Sequence, residues 1–186
     1  MKKRDGIIML FLGMLFFISC CAAEVQADEK SLTLMVYMCG SNLESSYAAA
    51  TKDLEEMMES GFNQDEFNLL VMTGGSLSWH TSFQAEGVNL SRVTDVIEGI
   101  KSFGEVSMGS PETLVDFLRY GVEHYKASNY ALIIWDHGEG PLGGVCIDEL
   151  NSPDKLSLTE ITDSLEAANL SGKLYFIANF LELKRL

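Results

Sequence analysis

The stretch Leu32 to Cys39, LTLMVYMC, is the feature that most narrows the folds open to this chain. An almost continuous apolar run rich in strand-forming residues is typical of a strand that is covered on both faces. Similar runs follow at 67–73 and 130–136, and a fourth begins at Lys173. Strands of this kind lie in parallel sheets flanked by helices.

Helix-start signals separate these runs. Ser41–Glu44 and Ser157–Glu160 match capping boxes, and Ser110–Glu112 combines a cap residue, a proline and an acid. The alternation of strands and helices predicts an α/β fold, with an open, mainly parallel sheet and helices on both faces. Apolar spacing also predicts a short helix through Val93, Ile97 and Ile100.

Residues 1–27 have the pattern of a bacterial signal peptide. Three cations at 2–4 precede the apolar run Ile7–Ile18, which is short for a membrane span. Two processing points stay open: cleavage before Cys20, which a lipid would then modify as in a lipoprotein, and cleavage after Ala27. We therefore expect an exported protein that meets a membrane only through its signal or a lipid anchor, with residues 28–186 as its domain.

The formal net charge of the chain is −14. A surface this acidic repels nucleic acid and anionic lipid headgroups, so we expect no nucleic-acid partner. It favours basic partners, including peptides that carry Lys or Arg, although the same charge also serves solubility.

Two of the four cysteines, Cys39 and Cys146, lie outside the leader. Two cysteines are too few for a disulfide scaffold or a structural zinc site. One disulfide, two buried thiols and one reactive thiol all remain open, and buried thiols are favoured.

His137 is the leading candidate for catalysis. It follows a predicted strand, and in open parallel sheets functional groups gather at the carboxyl ends of the strands, where Cys39 and Gly74–Gly75 also fall. A neutral imidazole there can act as a general base, and the N–H of Gly138 can point at a substrate oxygen. A purely structural histidine is the alternative.

Other candidates are weaker. His124 is expected on a helix surface, and His80 follows Trp79 in a loop that lies near a cleft or in solvent. Gly74–Gly75 has no phosphate-loop motif around it, which disfavours nucleotide binding. An acidic loop offers carboxylates for Ca²⁺ but lacks the spacing of a known calcium loop, so a solvated loop is favoured for Asp148, Glu149 and Asp154.

Four stretches together resemble the clostripain-type cysteine peptidases, which have a caspase-like fold, a three-layer sandwich. They are LMVYMCGSNLE at 34–44, LLVMTGGS at 69–76, EVSMGSPETLVDFL at 105–118 and ALIIWDHGEG at 131–140.

The resemblance implies a mechanism. The histidine matched by His137 works with a cysteine thiolate at the end of the next core strand, and the N–H matched by Gly138 helps to hold the oxyanion. Members of the family cleave peptides after Arg or Lys, and some need Ca²⁺.

One departure limits this inference. The family's next strand runs into a stretch such as Asp-Ala-Cys, whereas this chain continues from Lys173–Ile177 into Ala178–Leu186 with no cysteine and no acid at the specificity position. The expectation is an incomplete, C-terminally truncated peptidase domain that is inactive as it stands. Cys39 is a weak candidate for a substitute nucleophile. The alternative function is a non-catalytic exported or lipid-anchored protein whose acidic cleft binds basic peptides.

Overall fold

The computed structural model describes residues 29–84, 86–137 and 143–180. These residues form six strands and four helices. In chain order the elements are β1 Lys30–Cys39, α1 Ser41–Tyr47, α2 Ala49–Glu59, β2 Phe67–Gly74, β3 Val88–Val93, β4 Ile97–Gly104, α3 Pro111–His124, β5 Ala127–Trp135, α4 Leu158–Ala167 and β6 Leu174–Phe180.

The strands make one mixed sheet in the order β4-β3-β2-β1-β5-β6. The pairs β1–β2, β1–β5 and β5–β6 are parallel, whereas β3 is antiparallel to both of its neighbours. Because β1 has a parallel strand on each side, its apolar composition is that of a central, doubly covered strand. The predicted mainly parallel α/β sheet is confirmed.

Alternate residues of β1 build the two halves of the core. Met35 and Tyr37 pack in a cluster with residues of α3 and α4, including Phe117. Val36 and Met38 pack on the opposite face in a cluster that includes Leu43 of α1 and Ala50 and Leu54 of α2. Successive side chains of a strand point to opposite faces, so one apolar strand supports helices on both sides.

The helix predicted through Val93, Ile97 and Ile100 was wrong. These residues belong to the hairpin of β3 and β4, which turns where Thr94 donates its backbone N–H to the carbonyl oxygen of Val96. Val93 and Ile97 are cross-strand neighbours in that hairpin. A 4-3 spacing over so few residues does not separate a helix from two strand ends joined by a tight turn.

The predicted capping box at Ser41 was also wrong. Ser41 has φ 43°, and Gly40 is the N-cap of α1 without a side-chain cap bond. The expected single helix is divided at Ala48, which has φ 53° and separates α1 from α2. The box at Ser157 and Glu160 is confirmed, with both reciprocal hydrogen bonds present.

Within the described ranges, no helix is both long and apolar enough to cross a membrane.

Candidate functional site

The carboxyl ends of β1, β2 and β5 meet at one edge of the sheet. Cys39 is the register partner of Gly74, and Met38 is the partner of Trp135 in β5. His137 therefore emerges beside the turn that leads from β1 into α1. The prediction that Cys39, the Gly74–Gly75 pair and His137 share this edge is confirmed in position.

The imidazole of His137 contacts α1. Its Nε2 atom lies 2.5 Å from Oδ1 of Asn42, and the ring is partly exposed to solvent. The two residues stand 95 positions apart in the chain. Sequence reasoning singled out His137 but missed Asn42, because no local pattern reports a contact between two strand ends.

Asp136, the residue before His137, is buried and structural. Its Oδ1 accepts a hydrogen bond from Oγ of Ser41 at 2.6 Å, and its Oδ2 accepts one from the N–H of Ile147 at 2.6 Å. Burial raises the pKa of this carboxyl above its usual range, and the two hydrogen bonds work against that rise. The carboxyl thereby ties the end of β5 to α1 and to the loop that carries Cys146.

His137 and Asn42 open onto a cleft of about 580 Å³. Glu149 supplies a carboxylate to its wall: Oε2 accepts the N–H of Leu77 at 3.0 Å, and Oε1 accepts the hydroxyl of Ser45 at 3.1 Å. Oε2 also accepts the hydroxyl of Ser76 at 3.5 Å, so Oε1 is the oxygen with room for a further donor. The other described lining residues are Ser41, Ile147 and Ser152.

A second groove, of about 600 Å³, lies along the sheet face that α2 covers. Its wall is mostly apolar and includes Leu32, Leu34 and Trp135, whose indole N–H donates to Oδ2 of Asp53 at 2.6 Å. None of the described residues that line it is a histidine or a cysteine. The cleft at His137 is therefore the better candidate for chemistry.

Cys39 and Cys146 are both buried and free. They belong to the core cluster on the α3 side and hydrogen-bond to each other. Burial raises the pKa of both thiols, that of Cys39 well above its usual value. The predicted buried thiols are confirmed. The core position of its side chain argues against Cys39 as a substitute nucleophile, although β1 and β5 are neighbours.

The Gly74–Gly75 pair joins loops together. The carbonyl oxygen of Gly75 accepts the N–H groups of Ser41 and Glu149, and a Cβ added at Gly75, which has φ +71°, would lie 2.7 Å from Sγ of Cys39. Only glycine suits a position with that φ and that contact. Packing and hydrogen bonding explain the glycine at position 75.

The acidic loop is less solvated than its sequence suggested. Asp148 is fully buried: its Oδ2 accepts the N–H of Met108, and its Oδ1 accepts those of Leu150 and Asn151. Glu149 is partly buried, and Asp154 is exposed. Among the residues with described positions, no three His, Cys, Asp or Glu side chains converge as metal ligands. The described carboxylates of this loop do not fit a calcium site.

Two further histidines lie away from the cleft wall. His124 is exposed at the end of α3, with its ring against Tyr120, which confirms the predicted surface position. His80 is exposed, and both its N–H and its Nδ1 approach Oε1 of the buried Glu44. Gly138, the predicted oxyanion donor, lies outside the described residues.

Comparisons with known proteins point to one family. The model of the clostripain family (peptidase family C11) matches residues 36–178. Clostripain of Hathewaya histolytica is similar at 26% identity, over 73% of this chain and 31% of clostripain.

Two solved structures resemble the fold. A secreted C11 cysteine protease from Bacteroides thetaiotaomicron, in complex with an irreversible peptide inhibitor, gives a TM-score of 0.62 at 20% identity, over 82% of this chain and 43% of that one. An inactive zymogen C11 protease from Parabacteroides distasonis gives 0.52 at 21% identity, over 81% and 42%. The likeness confirms the caspase-like fold, and the chain spans less than half the length of these relatives.

Proposed function

This chain belongs to the clostripain family of cysteine peptidases, and on that premise we propose that His137 is the general base of a peptidase cleft. The observation that carries the proposal is the position of the imidazole: it follows a core strand at the carboxyl edge of the sheet, opens onto a cleft and is held by a side chain of α1. Functional groups of open α/β sheets gather at this edge.

The proposed chemistry is acyl transfer. The imidazole takes the proton of a cysteine thiol, the thiolate attacks the scissile carbonyl carbon, and the proton passes to the leaving amine. Water then attacks the thioester, and the acid product and the free thiol are released. The N–H of Gly138 is the proposed oxyanion donor.

We propose that this chain does not supply the thiol. Its cysteines are Cys20 and Cys21, in the proposed signal peptide, and the buried, protonated pair Cys39 and Cys146. Around the end of β6 the chain reads Ala178-Asn179-Phe180-Leu181-Glu182 rather than a stretch such as Asp-Ala-Cys. An imidazole without a thiolate forms no acyl-enzyme, so the 186-residue chain is inactive by itself.

Export is part of the proposal. Residues 1–27 act as a signal peptide, with a lipid at Cys20 or cleavage after Ala27, and residues 28–186 hold the peptidase-family domain. The similar protease from Bacteroides thetaiotaomicron is described as secreted, which supports this assignment.

A turnover assay tests the missing nucleophile. The full chain, produced in a bacterial host that exports it, is incubated with a fluorogenic peptide carrying Arg before the scissile bond, with and without Ca²⁺. Wild type and His137→Ala are expected to show the same background rate. Cleavage by wild type that His137→Ala abolishes would contradict the proposed inactivity and require a nucleophile in this chain.

Binding of basic peptides is a second candidate function, and the carboxylate of Glu149 in the cleft wall favours it. Its oxygens are oriented by Leu77, Ser76 and Ser45, and Oε1 keeps a lone pair for a guanidinium or ammonium group. Such a site binds an Arg or Lys side chain without any covalent step. The net charge of −14 would speed the approach of a basic peptide.

Fluorescence anisotropy measures whether the chain binds a basic peptide through this cleft. A labelled Arg-containing peptide is compared with its citrulline analogue, which keeps the shape and loses the charge. Glu149→Gln should weaken binding of the Arg peptide by about tenfold, the loss of roughly 1.4 kcal/mol. The exposed Glu166→Gln on α4 is the matched control. Equal affinity for both peptides would exclude the acidic-cleft function.

A further inference from the structure

The contact between His137 and α1 is one of two adjacent pairings between the same segments. The hydroxyl of Ser41 donates to Oδ1 of Asp136, and the next residue along each segment makes the contact between Asn42 Oδ1 and His137 Nε2. The end of β5 and the start of α1 are therefore joined at two successive positions. One pair is buried, and the other lies at the cleft.

The amide oxygen of Asn42, rather than its NH₂ group, faces Nε2 of His137. That oxygen only accepts, so with this orientation of the amide Nε2 carries the proton. In a neutral imidazole only one nitrogen is protonated, which leaves Nδ1 as the basic nitrogen. The partner of one ring nitrogen thus selects the tautomer of the whole ring.

The backbone around Asn42 is held firmly although its side chain is exposed. Its neighbours Ser41 and Leu43 are both buried, and so is Glu44, whose carboxylate accepts hydrogen bonds from Thr51. The side chain therefore extends from a fixed point toward the ring. An exposed hydrogen bond of this kind adds little to stability, so its effect falls on the orientation of the ring.

We propose that Asn42 is a positioning residue for His137: it holds the Nε2-protonated tautomer and presents Nδ1 as the base. This inference rests on the proposed role of His137 as general base. Asn42 acts through the histidine and does not itself touch substrate.

Ring ¹⁵N NMR of the full chain, with ¹⁵N-labelled histidine, tests the proposal without any turnover. The spectra are recorded at about pH 8, where imidazole is neutral, and His137→Gln identifies the His137 signals. Wild type should show His137 in the Nε2-protonated form alone. Asn42→Leu, which keeps the size and removes the acceptor, should show both tautomers in exchange, as should Asn42→Ala. Asn42→Asp, which keeps an acceptor oxygen, should restore the single form.

The controls separate positioning from structure. The ring signals of His124 and the melting temperature should stay unchanged in all three Asn42 variants. A wild-type ring protonated at Nδ1, or the same single tautomer in Asn42→Leu and Asn42→Ala as in wild type, would overturn the proposal. Either result concerns the ring tautomer alone, whereas cleavage of the Arg peptide by wild type in the turnover assay would contradict the proposed function. Failure of the positioning role and failure of the proposed function are therefore distinguishable.

Discussion

Glu44 is the carboxylate that ties α1 to α2 and to the loop that carries His80. Although buried in α1, it accepts hydrogen bonds from the N–H and hydroxyl of Thr51 and from the N–H of His80. Burial alone would raise its pKa, but these hydrogen bonds together outweigh burial, and the pKa is lowered from 4.5. A carboxyl with a lowered pKa stabilises the fold at neutral pH and loses that contribution as the pH falls through its folded pKa.

Glu44→Gln should therefore destabilise the protein in a pH-dependent way. At about pH 7 we expect a loss of about 1–3 kcal/mol, because the amide NH₂ would face donors. The difference between wild type and variant should narrow as the pH falls below the ordinary value of 4.5. Urea unfolding across this range measures it, with the exposed Glu55→Gln of α2 as control. A difference that does not change with pH would contradict the assigned hydrogen bonds.

At the same scale, the sequence shows which residue types matter but not which of them touch. His137 was found from its place after a strand, and the buried state of Cys39 and Cys146 from their small number. The contact of His137 with Asn42 was not predictable, because it joins residues 95 positions apart. Only the strand register brings those two residues together.

At the scale of elements, the two capping-box motifs, at Ser41 and Ser157, had different outcomes. The capping box at Ser157 forms: its hydroxyl accepts the N–H of Glu160, and Glu160 accepts the N–H of Ser157. At Ser41 the hydroxyl donates to Asp136, and the N–H donates to the carbonyl oxygen of Gly75. The carboxylate of Glu44 accepts hydrogen bonds from Thr51 and His80 instead of from Ser41. Tertiary partners therefore override a local cap. The helix predicted from the 4-3 spacing through Val93 fails for a related reason. Antiparallel pairing with β2 supplies the backbone hydrogen bonds of this segment.

The two serines that precede α4 and α3 give a matched test of capping. Ser157 accepts the N–H of Glu160, whereas Ser110 makes no cap bond and donates to Glu112 instead. Ser157→Ala should lower the free energy of unfolding by about 1 kcal/mol. Ser110→Ala should cost clearly less. Thermal or urea unfolding compares the two variants, and equal losses would show that the assigned cap contributes nothing.

At the scale of the whole molecule, alternation of strands and helices was enough to predict a mainly parallel sheet. It was not enough to predict the two antiparallel strands β3 and β4, which extend that sheet beyond β2. The edge where His137 lies also followed from the parallel strands. The parallel strands did not reveal which face of the sheet each side chain points to. The alternation of side chains along β1 places Cys39 in the core.

We propose that the cleft at His137 has a base but no nucleophile of its own. The most direct test of this proposal is covalent labelling of the folded full chain with an Arg-containing peptide electrophile that alkylates cysteine thiolates. Tryptic mass mapping follows peptides 31–52 and 127–155, which contain Cys39 and Cys146 and exclude the leader cysteines. We expect that neither peptide is modified until the protein is unfolded with urea. An adduct on either peptide in the native protein, lost in His137→Ala, would mean that this chain carries a working thiolate–imidazole pair and would contradict the proposed absence of a nucleophile.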